Sequence, residues 1–285
     1  MRQNSKTPAA DPQLASLLQQ LHTFPPDVRA WPLSARVTLL RGGLIDLTIT
    51  SPVSPTTPLL IASVPKYALM AVSAPVLTHL AVTNPHAPAV HFALSLAPAM
   101  SAASVARYTA ALRRPAHWLN VLCTAPGPGR VPDMPLRNPD DDIRADLALR
   151  HLAAHMQMSL YVRHIADKYI ASVRAATLTP ADMTAISLYG LGADDPLLLG
   201  VARELVRAKR EGRVLGVAAE EELLGRVDRG SAGAATLALW LLEPENRKLA
   251  EVMGRLEGGT LSGGEVEAKQ RREWMGELPG PMDID

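Results

Sequence analysis

The chain has one cysteine, two phenylalanines and almost no excess of charge of either sign. With Cys123 alone, no disulfide can close within the chain, so packing has to hold it together, as suits a reducing compartment. Aromatic residues are 4% of the total, and the core must be built from Leu, Val, Ala, Ile and Met. Basic side chains number 29 and acidic ones 28, for a net charge of +1. No basic stripe is present to neutralise phosphates, so nucleic acid is not an expected partner. Long apolar runs are missing as well. Leu59 to Val82 is interrupted by Pro65, Lys66, Pro75 and His79, and Ala234 to Leu242 is far shorter than the ~20 residues a bilayer requires. Met1 to Gln13 is polar, carries Pro8 and Pro12, and lacks the apolar centre of a secretory signal. The expectation is an intracellular protein, of cytoplasm or nucleus, with no membrane partner.

What is present is enough for a packed interior: 47% hydrophobic residues in a chain of 285, room for one large domain or two modest ones. Residues 1–30 read as a flexible leader with one short amphipathic helix (Leu14, Leu17, Leu18, Leu21) ended by Pro25-Pro26. Arg36 to Leu40 and Leu44 to Thr50, separated by Gly42-Gly43, read as the two strands of a hairpin. Ser51 to Pro58 reads as a loop, Leu59 to Val64 as a strand, and Lys66 to Leu80 as a helix kinked at Pro75. Val90 to Leu96 alternates as a strand, Ser101 to Arg113 is helical, and Pro126 to Pro139 reads as an exposed loop.

Beyond residue 140 only helices are expected. Asp140 to Asp142 suits the positive end of a first helix dipole. Ser159 is a candidate cap for a second helix, Thr179-Pro180-Ala181-Asp182 is a capping box with Asp in place of Glu, and Asp195-Pro196 starts a further helix that Gly212 stops. Ala218 to Val227, Pro244 to Glu257 and Glu265 to Gly276 complete the set. Strands interleaved with helices, then helices alone, define an α+β fold with a helical extension.

Chemical motifs fall short at identifiable positions. His151 and His155 have zinc spacing on a helix, but Leu152 stands where a metalloprotease needs its glutamate and Tyr161 where a third histidine would sit. Leu261-Ser-Gly-Gly-Glu265 resembles the signature loop of ABC-transporter ATPases without any phosphate-cradling G-x-x-x-x-G-K-[ST]. The triple Asp lacks the alternating ligands and glycine of a calcium loop, and Cys123 has no C-x-x-C partner. No catalytic residue, metal ligand or cofactor is nominated.

Two stretches carry a resemblance. Ile45-Asp46-Leu47-Thr48-Ile49 is similar to the opening strand of BTB/POZ domains. Ile61 to Val64 running into Pro65-Lys66, Leu69, Ser73, Pro75 and Val76 is similar to their strand-to-helix passage. His91 to Leu96 and Ala102 to Leu112 match the strand and helix that follow. Leu147 to Ile170, with Asp194 to Leu199 and Ala202 to Leu205, resembles the helical extension of the divergent fungal form of this family. Departures are Pro65 where the family has His, a missing Phe after Ser-Pro, and the Pro/Thr insertion at 51–58.

The resemblance implies a small sheet flanked by helices (residues 31–120), a Pro/Gly-rich loop (121–140), a helical extension (141–260) and a charged tail (261–285). It implies a protein–protein interaction module rather than an enzyme, an adaptor that pairs with itself or recruits a cullin-type scaffold or a corepressor. On this resemblance Asp46 and Lys66 match a buried charged pair near the dimer face. Without it, Asp46 ends a hairpin strand and Lys66 is a solvated side chain. The alternatives are a helical scaffold of another fold, with no three-stranded sheet between residues 36 and 96, or an enzyme whose site has no recognisable motif.

Overall fold

A computed structural model describes residues 12–51, 54–84, 87–93, 102–127, 131–137, 142–175, 177–211, 241 and 243–257. The chain divides into two compact units, Met1–Asp140 with Ala148–Val162 and Asp141–Leu147 with Arg163–Asp285. The division is not the simple break near residue 140 that the sequence suggests, because residues 148–162 belong to the first unit.

The first unit opens with α1 (Pro12–Thr23), a 3₁₀ turn at Val28–Ala30, α2 (Leu33–Thr38) and a second 3₁₀ turn at Leu39–Gly42. Residues 12–30 are packed and not a free leader: Leu17 and Val28 are buried, and α1 rests on the helix that begins at Lys66. The strand expected at Arg36 to Leu40 is helical. Local β propensity in Val37-Thr38 yields to burial of Ala35, Arg36 and Leu39 at helical spacing.

Arg36 is fully buried, and its guanidinium reaches only main-chain oxygens. Nε donates to Trp31 O at 3.0 Å, Nη1 to Leu122 O at 2.5 Å, and Nη2 to Ala125 O at 2.7 Å and Gly127 O at 2.9 Å. Three of those carbonyls lie at or just beyond the C-terminus of α5 (Ala102–Thr124), where unpaired carbonyls and the helix dipole favour a cation.

Next come β1 (Leu44–Ser51), β2 (Ser54–Pro65), α3 (Lys66–Val72), α4 (Ala74–Thr78), a π turn at His79–Thr83 and β3 (Ala89–Ala93). They form a three-stranded sheet of order β2-β1-β3, with β1–β2 antiparallel and β1–β3 parallel. The hairpin therefore joins β1 to β2, not residues 36–40 to β1. Gly43 holds φ +72°, a conformation that disfavours any side chain, and marks the entry to β1. The stretch 54–58, expected as loop, is strand; prolines are tolerated there because β2 lies at the sheet edge.

Pro75 does interrupt the helix beginning at Lys66. The break falls at Ser73, which is extended, and its buried hydroxyl donates to Met156 O at 2.8 Å. β3 covers the first part of the expected strand, with residues 94–96 outside the described ones. The helix α5 runs on through Pro115 to Thr124, because Trp118, Leu119 and Leu122 beyond the proline are buried.

The Pro-rich segment after α5 is not wholly exposed. Val131 and Met134 are buried, Trp118 Nε1 donates to Pro132 O at 2.8 Å, and Met134 N donates to Tyr161 O at 3.3 Å. Tyr161 packs against Trp118 with the rings tilted by 51° (centroids 4.9 Å apart) and sits under the Arg29 guanidinium, which bridges Asp27 and Asp133.

Helix α6 (Arg144–His155) is preceded by Asp142, whose carboxylate accepts from Arg144 N at 2.8 Å; Asp140 and Asp141 lie outside the described residues. Ser159 does not cap the next helix but begins a 3₁₀ turn, Ser159–Tyr161.

Among its described residues the second unit's regular structure is helical: α7 (Arg163–Arg174), α8 (Pro180–Tyr189), α9 (Pro196–Arg210) and α10 (Arg247–Glu257). α9 is central, packing against α7, α8 and α10, with Leu197, Leu198, Val201, Ala202 and Leu205 wholly buried. A Cβ at Gly200 would come within 2.2 Å of Ile170 Cδ1, so glycine permits the close approach of α7. Buried Asp146 accepts from Tyr169 Oη at 2.8 Å and lies 3.6 Å from Lys168 Nζ.

The Thr179–Asp182 capping box forms in both directions. Asp195 caps α9 through Leu197 N at 2.9 Å and also accepts from Leu191 N at 2.8 Å. The expected helices at 218–227 and 265–276 lie outside the described residues, as does Gly212.

Replacing Arg36 by Met leaves four carbonyls without donors, at about 1–3 kcal/mol each where burial persists. Arg36→Met is expected to cost at least ~3 kcal/mol, and Arg36→Lys less, in urea unfolding followed by tryptophan fluorescence. An unchanged midpoint for Arg36→Met would contradict this role. In the second unit, Asp195→Ala is expected to cost ~2 kcal/mol and the exposed Thr179→Ala no more than ~1, read from amide hydrogen exchange in α9 and α8.

Candidate interaction surface

Strand alternation gives the sheet two unlike faces. Ile45, Leu47 and Val64 point into the core and are buried. On the other face the β1–β2 register sets Leu44 opposite Pro65, Asp46 opposite Ser63 and Thr48 opposite Leu60, and β3 adds Ala89 beside Asp46 and His91 beside Thr48. Leu44 is 71% exposed and Leu60 55% exposed. Between them runs a polar row, of which Asp46 is half-buried and Thr48 buried. Ser63 Oγ donates to Asp46 Oδ1 at 2.5 Å, and Thr48 Oγ1 lies 2.5 Å from His91 Nδ1.

Both residues singled out from the sequence lie beside this face. Asp46 is half-buried in the middle of β1, and its N–H donates to Pro88 O at 3.3 Å. Lys66 is half-buried at the first position of α3, where its N–H donates to Gly43 O at 2.9 Å. The antiparallel register carries the chain from Asp46 to Lys66 on neighbouring strand ends. Neither side chain is sealed in the core.

Leu44 and Leu60 were not singled out by sequence reading. The signal for Leu44 is its phase, since alternation places it with Asp46 and Thr48 on the polar side of β1. Next to the face is an open cleft of about 510 Å³ lined by Pro75, Val76, His79, Asn84, Pro88 and His91. The π turn forms one wall and is closed by Asn84 N donating to His79 O at 2.7 Å.

The remaining candidates do not join this surface. His151 and His155 stack with ring centroids 4.6 Å apart and 16° between planes, and His155 Nδ1 lies 2.9 Å from His151 O. Near-parallel rings do not converge their lone pairs on one ion, and among the described residues no three His, Cys, Asp or Glu side chains are grouped to hold a metal. Leu261 to Glu265 lies outside the described residues. Cys123 is buried, and burial pushes its thiol up to about 12 against the opposing pull of Arg36. Burial likewise pushes the Tyr161 hydroxyl up to about 12. Neither is a nucleophile at neutral pH.

No protein-family model, curated protein or solved structure matches the chain. No helix among the described residues is long and apolar enough to cross a membrane.

Folded, Cys123 and Tyr161 hold their protons to about 12; unfolded, they release them near 9.0 and 10.0. Above pH 9 the unfolded chain therefore binds fewer protons, and stability is expected to fall as pH rises from about 9 to about 12. Native Cys123 is expected to resist iodoacetamide at about pH 8.5 and to react once urea unfolds the chain. Alkylation of the native chain at the rate of a free thiol would show the site to be open.

Proposed function

We propose that the chain is a protein–protein interaction module, BTB/POZ-like in its first half with a helical second half, and that the outward sheet face meets the partner. One observation carries the reading: two well-exposed leucines stand at either end of a hydrogen-bonded polar row on one sheet face. Single exposed leucines are ordinary, but apolar anchors around a polar row on a rigid sheet have the make-up of a recognition patch. The order strand, strand, helix, strand, helix from Leu44 to Thr124 supports the family part, since it is the order the resemblance implies.

The partner favoured is a second copy of the chain, with a cullin-type scaffold or a corepressor as the heterologous counterpart. Asp46 and Lys66 would set the geometry of the contact more than its strength, because desolvating charges offsets much of their attraction.

Light scattering at rising concentration tests self-association. The expected mass is that of a dimer. Leu44→Asp with Leu60→Asp is expected to weaken association at least tenfold, since each buried leucine contributes about 1.5–3 kcal/mol. Asp46→Asn with Lys66→Gln is expected to weaken it less. A strict monomer at high concentration removes the self-pairing. If, in addition, pull-down from native cells recovers neither a scaffold nor a corepressor with the wild-type chain, the interaction reading fails.

A further inference from the structure

Past Asp46 the β1–β2 hairpin carries no charged side chain. Between Asp46 and Lys66 no Asp, Glu, Lys, Arg or His occurs. Within it the sequence Ser51-Pro-Val-Ser54-Pro-Thr-Thr57-Pro58 places a hydroxyl residue before a proline every third position. The ladder gives way at the same place. Ile49 pairs with Leu59 and Ser51 with Ser54, so Thr50 alone lies opposite residues 55–58. That excess of β2 over β1 is a break in register in an edge strand.

Two of these residues, Pro55 and Pro58, have no N–H to give to any ladder. Each also restricts the residue before it to extended backbone, and Ser54 and Thr57 accordingly lie in strand conformation. A protein kinase takes its acceptor residue in an extended segment. One that selects proline after the acceptor fills an apolar pocket with the ring and needs no N–H there.

We propose that Ser54 and Thr57 are acceptor sites for a proline-directed serine/threonine kinase. The hydroxyl oxygen attacks the γ-phosphorus of ATP. The new O–P bond forms as the bond from γ-phosphorus to the β,γ-bridging oxygen breaks, ADP leaves, and the hydroxyl proton passes to the kinase's base. Ser51 shares the dipeptide in sequence, with Pro52 outside the described residues.

Each phosphoryl group adds about −1.5 to −2 charges at neutral pH, so the pair puts roughly −3 to −4 on a stretch, residues 47–65, that otherwise has none. Charge on an edge strand opposes its pairing with another chain. The modification would therefore add strong anionic charge to an edge whose prolines already limit pairing. The inference does not depend on which partner meets the sheet face.

The test uses the full-length chain with MgATP and a proline-directed kinase, followed by phosphopeptide mapping. Phosphate is expected on Ser54 and Thr57. Pro55→Ala is expected to lose the Ser54 phosphate alone, and Pro58→Ala the Thr57 phosphate alone, with circular dichroism showing both variants folded. No phosphate on either residue overturns the proposal. So does phosphate that persists at both in the proline variants, since a hydroxyl-rich segment would then be taken irrespective of proline. In the chain isolated from its own cells, a phosphoryl increment on these residues supports the assignment and a hexosamine increment overturns it.

Discussion

The first unit depends on a cation whose described partners include no carboxylate. The Arg36 guanidinium is fully buried and held by the carbonyls of Trp31, Leu122, Ala125 and Gly127. A buried charge is tolerable only when its donors are met, and here the C-terminus of α5 supplies both acceptors and a favourable dipole. One side chain thereby fixes the end of a long helix against α2, two elements far apart in sequence. Burial lowers the affinity of Arg36 for its proton, and an arginine keeps its charge through such a shift. The fork geometry matters as much as the charge, because a lysine offers no planar set of donors to carbonyls in different directions.

With α5 anchored, the sheet has a fixed support. α5 packs on β2, and the inward residues Ile45, Leu47 and Val64 are buried, so the opposite face is left to present Leu44, Leu60 and the polar row. The hairpin tip departs from regular pairing where its prolines remove donors, and the edge position of β2 makes that loss tolerable. Recognition face and irregular tip thus follow from one strand order.

Much of the local architecture was legible in sequence. The caps at Thr179 and Asp195 formed as their residues imply, because capping needs only a side-chain oxygen within two or three residues of an unpaired N–H. The interruption near Pro75 and the β1 strand were readable for the same local reason. Arg36 to Leu40 was misread because its β-branched residues favour a strand locally, whereas the buried guanidinium depends on carbonyls about 90 residues away. Residues 54–58 were misread because proline counts against a strand unless the strand is at an edge, and edge position is a property of the sheet. Of the candidate surface, Asp46 and Lys66 were nominated by resemblance. Leu44 and Leu60 required knowledge of which face is covered.

By itself the sequence determined what short-range rules can reach: no internal disulfide, a mostly aliphatic core, helices among the described residues of the second unit, the caps at Thr179 and Asp195, and the break near Pro75. These depend on groups within one turn or one pleat of each other. Tertiary structure alone decided that Arg36 would be a buried cation, that residues 148–162 would join the first unit, that the Pro-rich stretch after α5 would bury Val131 and Met134, and which sheet face would stay open. Each of these depends on burial and on main-chain partners distant in sequence, and local propensity, at a few tenths of a kcal/mol to about 1 kcal/mol per residue, yields to them.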